Sequence, residues 1–324
     1  MDKLGQITGI IKNDLDVFGK RMKTYTHTEN AYVSDMLNYI LSSKGKLIRP
    51  LLVYLSARMF GEPTESTHSG AVLMELIHSS TLVHDDVVDE ALLRRGKASA
   101  NAIWENKRAV LIGDYMFANA MYIATQKGEH KLFDLISPTI MKMSLGELMQ
   151  LDIARKSNFD EAEYFEVIEN KTASLIATCC EVGAYSAGAS ADQQHSMRTL
   201  GMLCGMAFQI KDDILDYSSQ DITGKIAGND ILERKVTLPL IGALKNSDPR
   251  SAENVLQYWK NGKDNKYLLS LVSKFVLDNQ GINYASEIML EYHNQALQQL
   301  DGLNNNKAGE AMQQLLDFVV ERKK

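Results

Sequence analysis

Apolar residues recur along this chain three and four positions apart, the spacing of one helix face, and the alternation that marks a half-buried strand is scarce. Ala71 to Ala91 reads as one long helix, with Val72, Leu76, Ser80 and Val83 on one side and His78, Thr81, Asp85 and Asp89 on another. Ala109 to Thr125 reads as a second. Pro138 suits the first turn of a third, which runs past Gly146-Glu147 to about Ala154. Asp160 can cap a helix over Ala162 to Lys171, with a continuation toward Gly188. Leu200 to Tyr217 is another. Thr223-Gly224-Lys225 and Gly228-Asn229-Asp230 read as loop punctuation, Pro239 opens a further helix, and two or three more follow to Val320.

Several of these segments are apolar around most of their circumference, the pattern of central helices enclosed by others. No linker rich in Pro, Gly or Ser divides the chain. The expectation is an all-α, single-domain helical bundle over residues 1–324.

Two short acidic runs interrupt the apolar pattern: Asp85-Asp86-Val87-Val88-Asp89 and Asp212-Asp213-Ile214-Leu215-Asp216. Each is DDxxD, and each follows an apolar stretch. On a helix Asp85 and Asp89 share a face, as do Asp212 and Asp216, while Asp86 and Asp213 point about 100° away. Carboxylates so placed repel unless a divalent cation bridges them. Mg²⁺ takes oxygen ligands and keeps waters and substrate phosphates in its shell. Two such faces point to Mg²⁺ ions carrying a diphosphate.

Composition narrows the rest. With 45% hydrophobic and 23% charged residues, material for a core is ample, and a net charge of −6 argues against nucleic acid as the main partner. Cys179, Cys180 and Cys204 lack any disulfide or metal spacing, which fits free thiols in a reducing cytoplasm. No secretory leader pattern and no apolar run of about 20 residues is evident, so no membrane span is expected.

Cations cluster near both acidic runs. Lys46 and Arg49 stand three apart in Gly45-Lys46-Leu47-Ile48-Arg49-Pro50; Arg94-Arg95-Gly96 follows the first run; Lys171-Thr172 lies mid-chain; Lys225 and Lys235 follow the second run. Arg grips phosphate oxygens in bidentate fashion and Lys acts as a point charge.

Together the strings GKLIRP, ELIHSSTLVHDDVVDEALLRRG, NKTASL, GMAFQIKDDILDY and TGKIAGNDILERKVTLP resemble, in order and spacing, the all-trans isoprenyl (polyprenyl) diphosphate synthases. The resemblance covers about residues 30 to 240. It implies the isoprenoid synthase type I fold, a helical bundle around a central cavity, usually a homodimer. It also implies head-to-tail condensation of isopentenyl diphosphate onto an allylic diphosphate. Carried over position by position, Asp85, Asp89 and Asp212 look like Mg²⁺ ligands, with about three ions per site. Asp86, Asp213 and Asp216 support them, directly or through water, and Asp216 is counted among the metal residues. Arg94, Lys171, Gln209, Lys225 and Lys235 resemble contacts to the allylic substrate, with Thr172 near its reacting carbon. Lys46, Arg49, His78 and Arg95 resemble the metal-free homoallylic site. One departure stands out. The family often has Gly before the lysine of its EGKxTLP element, where this chain has Arg234; a change in the mobility of that loop is expected, with Lys235 retained.

In such enzymes an aromatic residue four or five positions before the first Asp stops chain growth early. Here those positions are the small Thr81 and Ser80, with Ile77 one turn above. A long product, C30–C40, of the kind used as quinone side chains is therefore expected, and peripheral membrane contact for its release is compatible with this. The alternatives are a short-chain farnesyl or geranylgeranyl diphosphate synthase, and a non-catalytic regulatory subunit of a heteromeric prenyltransferase. A class I terpene cyclase is disfavoured by the second DDxxD and the basic homoallylic set.

Overall fold

The computed structural model describes residues 3–42, 45–126, 128–218, 228–303 and 306–323. Helices α1 (Lys3–Ile10), α2 (Lys12–Tyr25), α3 (Ala31–Ser42), α4 (Ile48–Phe60) and α5 (Glu65–Val88) lead to a two-residue hairpin, β1 (Leu93–Arg94) and β2 (Lys97–Ala98). Then come α6 (Ala100–Gln126), α7 (His130–Lys156), α8 (Glu161–Ile168), α9 (Ser174–Ser186), α10 (Ala191–Ser218) and α11 (Asn229–Leu232). Helices α12 (Leu238–Asn246), α13 (Pro249–Asn261), α14 (Asn265–Asp278), α15 (Gly281–Asp301) and α16 (Lys307–Glu321) complete the order. The architecture is all-α, as expected. None of the helices is long and apolar enough to cross a membrane, among the described residues.

Contacts divide the chain into two compact units. The first gathers Met1–Ile140, Leu175–Gly201 and Gln299–Leu315; the second gathers Met141–Ser174, Met202–Gln298 and Leu316–Lys324.

In the first unit α5 is the central helix. Every residue from Ser69 to His78 is buried, as an all-round apolar pattern requires. A capping box starts it: Thr64 Oγ1 accepts from the Thr67 N–H and Thr67 Oγ1 accepts from the Thr64 N–H. The Thr64 hydroxyl also donates to the Ser186 carbonyl at 2.9 Å, which ties the helix start to the end of α9. Helix α4 is buried from Pro50 to Ala57, and it packs on α5. Close approach of α9 to α4 rests on Gly183, where a Cβ would stand 2.2 Å from the Val53 carbonyl oxygen.

The second unit holds two apolar clusters. One joins Tyr164, Ile168, Met206, Ile210, Ile214, Ile241 and Met289. The other centres on Trp259, with Leu240, Val255, Leu268, Val272 and Phe275.

Several boundaries differ from the sequence reading. Helix α5 begins earlier, at its threonine cap, and ends at Val88, so Asp89 is the C-cap and Glu90 takes positive φ (50°). Pro138 is interior to α7 rather than in its first turn, because the buried Leu132 and Ile136 anchor a further stretch before it. The segment after Asp160 is not one regular helix: a π-helical turn, Glu169–Ala173, separates α8 from α9. The Gly228–Asp230 punctuation opens the short α11 with Gly228 at φ 80°. Among the described residues four helices follow α12, not two or three, since Asp248 and Asp264 each cap one by accepting two backbone N–H groups.

Replacing Gly183 with Ala is expected to destabilise the protein. Ala gains about 1 kcal/mol of helix propensity over Gly. A methyl at 2.2 Å from a backbone oxygen forces two helices apart, with an overpacking cost on the order of 1–3 kcal/mol. Thermal unfolding of Gly183→Ala should show a lower Tm than the parent; an unchanged or higher Tm would mean that the contact relaxes freely.

Candidate active site

The two acidic runs have one geometry. In each, the middle carboxylate is buried, 3% exposed at both Asp86 and Asp213, while the outer residues are half-buried. This follows from the 100° step between neighbours on a helix.

In the first unit Asp86 is held by the hairpin. The turn between β1 and β2 has Arg95 and Gly96 at positive φ (52° and 75°), the backbone signature of primed hairpin turns. It delivers Arg94 to α5, where Nε donates to Asp86 Oδ1 at 2.7 Å and Nη2 contacts the same oxygen. Burial pushes the Asp86 carboxyl up, and the Arg94 bonds oppose that shift. Asn101 Nδ2 donates to the Asp86 carbonyl at 3.1 Å. With Asp86 so occupied, Asp85 and Asp89 present the accessible carboxylates, with the Asp89 N–H on the Asp85 carbonyl at 2.8 Å.

Arg95 lies over Gly45, where a Cβ would come within 2.5 Å of Nη1. His78 is buried. Desolvation holds its imidazole well below the ordinary range, and the fields of Arg49, Arg95 and Arg94 add to this, so it is neutral. Lys46 is exposed and Arg49 half-buried, at the start of α4 after Leu47 in left-handed conformation (φ 49°). A cavity of about 620 Å³ in this unit is lined in part by Gly45, Glu75, Asp86, Arg94 and Arg95. Of the three positions read as chain-length determinants, Ile77 is fully buried. Ser80 is 1% exposed and donates to the Gly113 carbonyl of α6 at 2.8 Å, while Thr81 is half-buried.

In the second unit a cavity of about 120 Å³ brings together Lys171, Thr172, Gln209, Asp213, Asp230 and Lys235. The π-helical turn carries Lys171 and Thr172. Lys171 Nζ pairs with Glu147 and donates to Gln150 Oε1 at 2.7 Å, both on α7. Gly146 permits that approach, since its Cβ would stand 2.6 Å from the Lys171 nitrogen. Thr172 Oγ1 donates to Gln209 Oε1 at 2.8 Å. Gln209 Nε2 donates to Asp213 Oδ1 at 2.9 Å, and the Tyr164 hydroxyl donates to Asp213 Oδ2 at 2.7 Å. Both ends of the Gln209 amide are thereby fixed. Burial drives Asp213 up to about 8, with repulsion from Asp230 and Asp212 in the same direction and the Gln209 and Tyr164 bonds against it. Asp216 Oδ2 accepts the Asp230 N–H at 3.1 Å. Lys225 lies outside the described residues.

Arg234 is held by several contacts. It sits at positive φ (57°), a conformation that Gly adopts without strain. Its Nη1 donates to the Trp259 carbonyl at 2.6 Å, its Nη2 to the Gly262 carbonyl at 2.8 Å, and its guanidinium stacks on the Trp259 ring. Next to it, Lys235 Nζ pairs with Glu233 at 2.5 Å.

Several functional neighbours carried no signal in the sequence reading. Arg322, near the C-terminus, pairs with Asp212 Oδ1 at 2.8 Å, donates to the Phe208 carbonyl at 2.9 Å and stacks on the Phe208 ring. Glu147 and Gln150, three apart on α7, stood in a segment read only as helix. Tyr164 and Asp230 stood in segments read only as helix and loop.

Among the described residues no three His, Cys, Asp or Glu side chains converge to cage a metal. The donor set still fits Mg²⁺, which commonly takes only one or two protein carboxylates and fills its shell with waters and substrate phosphates. Each run offers an accessible pair of oxygen donors four residues apart.

Comparison with known proteins gives consistent relatives. The family described as polyprenyl synthetase matches residues 30–274. Heptaprenyl diphosphate synthase component 2 of Bacillus subtilis is 32% identical over 97% of this chain and 89% of its own length. A polyprenyl synthase from Caulobacter crescentus, solved with calcium and isoprenyl diphosphate, superposes with a TM-score of 0.94 at 30% identity, covering 99% of this chain and 98% of that one. A geranylgeranyl pyrophosphate synthase from Bacteroides thetaiotaomicron superposes with a TM-score of 0.85 at 34% identity, covering 99% and 100%.

The Asp213 shift has a stability consequence. Its folded-state value, about 8, lies above the model-peptide value of 3.8, so the folded protein holds a proton that the unfolded chain releases. The associated stability is full below about pH 4 and is lost as pH rises toward 8. Urea unfolding in EDTA from pH 5 to 8.5 should show that decline in the parent and a flatter profile in Asp213→Asn. Identical profiles would remove Asp213 as the cause.

Proposed function

The chain belongs to the polyprenyl synthetase family, and on that premise we propose that it extends an allylic diphosphate, such as farnesyl diphosphate, with isopentenyl diphosphate to a C30–C40 all-trans product for quinone side chains. The chain is a trans-prenyltransferase with the isoprenoid synthase type I fold and the divalent-metal dependence of that family. The whole of residues 1–324 is proposed to act as one synthase domain, in the cytoplasm.

When bound, Mg²⁺ supplies Lewis-acid neutralisation of the departing diphosphate, with Asp85, Asp89, Asp212 and Asp216 as its protein ligands. Arg94, Lys171, Lys225 and Lys235 are assigned to the allylic diphosphate. Lys46, Arg49, His78 and Arg95 are assigned to the isopentenyl diphosphate. The cations assigned to the allylic diphosphate answer the charge that grows on the leaving group, whereas the isopentenyl diphosphate keeps its own diphosphate and is only held in place. Neutral His78 can donate one hydrogen bond to a phosphate oxygen without a further buried charge. Thr172 and the locked Gln209 amide offer fixed dipoles to the allylic cation. These groups position the reactants and stabilise charge, and exclusion of water protects the carbocation.

The small Ser80 and Thr81 before the first acidic run carry the long-chain assignment. Short-chain synthesis is the second reading, since the relatives include a geranylgeranyl pyrophosphate synthase as well as a heptaprenyl enzyme. A regulatory-subunit role is disfavoured by the intact acidic and basic sets. Incubation with farnesyl diphosphate, labelled isopentenyl diphosphate and Mg²⁺ should give C30–C40 chains, and arrest at C15–C20 would overturn the assignment. Thr81→Phe is expected to shorten the product by one or more five-carbon units. It is a cleaner probe than Ser80→Phe, which would have to displace the Gly113 carbonyl.

A homodimer is also proposed. Helix α6 exposes a stripe of Leu111 (66%), Tyr115 (41%), Ala118 and Tyr122 (62%) at helical spacing, an apolar face of the kind that a second copy covers. Sedimentation of the parent should give a dimer and Leu111→Glu/Tyr122→Glu a monomer. A dimeric double variant would place the interface elsewhere.

A further inference from the structure

Glu75 belongs to no acidic run, yet it is one of the most enclosed carboxyls of the first unit. It lies in the fully buried stretch of α5, 9% exposed, one turn before His78. Its Oε2 has no hydrogen-bond partner among the described residues. It lines the same cavity of about 620 Å³ as Arg94 and Arg95. A buried carboxyl with an unmatched oxygen is costly and calls for an explanation.

The charges around it supply one. The guanidinium groups of Arg49 and Arg95 act on Glu75, and the same two act on His78. Two arginines, a carboxyl and a neutral imidazole therefore share one neighbourhood, in which Glu75 and His78 are buried, Arg49 is half-buried and Arg95 is exposed. The two guanidinium charges repel each other there. His78 brings no countercharge, and the Asp86 carboxylate is engaged by Arg94. Glu75 is a carboxyl whose field opposes that repulsion. Burial pushes its carboxyl up, and the two arginines pull it back toward the charged form.

We infer that Glu75 is a positioning residue for the isopentenyl diphosphate: its buried carboxyl holds the Arg49 and Arg95 guanidinium groups ready for the incoming phosphates. Its open oxygen then takes a water or an arginine N–H as the phosphates draw the guanidinium groups into their bound orientation. The inference rests on the assignment of Lys46, Arg49, His78 and Arg95 to that substrate. It adds a residue that acts through two of them and does not itself touch the anion.

Steady-state kinetics with each substrate varied in turn tests it, with Arg95→Gln as the control for the site. Glu75→Gln should raise the KM for isopentenyl diphosphate about tenfold or more, with the allylic KM and kcat within about twofold, because the loss falls on binding of one substrate. Glu75→Asp, which keeps the charge on a shorter arm, should recover part of that loss. If Arg95→Gln raises the same KM and Glu75→Gln does not, the inference is overturned and the site assignment stands. An equal fall in both substrates' kinetics, or no recovery in Glu75→Asp where Glu75→Gln folds poorly, marks Glu75 as structural and also overturns it. If Arg95→Gln leaves the KM unchanged, the site assignment fails, and the inference with it.

Discussion

Burial of one carboxylate from each acidic run is the constraint around which the functional parts of both units are built. Removing a carboxylate from water is costly unless bonds replace the lost solvation. The chain meets that cost differently in its two runs. Asp86 receives an arginine from a hairpin whose turn has two residues at positive φ. Asp213 receives a tyrosine hydroxyl and a glutamine amide, and the glutamine is fixed in turn by Thr172. In both runs the inner residue anchors the helix and the outer pair is left accessible. The repeated DDxxD thus divides each run into a buried inner carboxyl held by side chains and a half-buried outer pair, the pair proposed as metal ligands.

The same economy runs through the basic residues. Lys171 is held by Glu147 and Gln150, Lys235 by Glu233, and Arg322 sits on Asp212. Lys171 and Lys235, the two of these proposed to face a diphosphate, are thus oriented by carboxylates and an amide beforehand. Such preorganisation lowers the reorganisation needed when charge develops in the transition state.

Much of this was legible in the chain, and the reasons are local. Helical periodicity reported α5 and α10 because their apolar residues repeat within a few positions. The 100° step between neighbours set the middle carboxylate of each run apart from the outer pair, although which of them turns inward was not read from it. Other features were illegible because their causes lie far away in sequence. The start of α5 depends on threonines that bond Ser186, and the contact of Arg322 with Asp212 links residues more than a hundred positions apart. The π-helical turn at Lys171 has no composition of its own. Ser80 was read by size alone, while its hydroxyl is committed to the Gly113 carbonyl of another helix.

Arg234 carries a consequence for how this enzyme responds to temperature. Glycine at that position leaves a segment whose many conformations must narrow when substrate arrives, an entropic term that grows with heat. Here the clamp on Trp259 and Gly262 narrows them once, during folding. Lys235 beside it, proposed to face the allylic diphosphate, is therefore expected to lose less affinity for that anion on warming than a lysine carried on a glycine hinge. The order of that position is tied instead to the Trp259 cluster on which Arg234 is clamped.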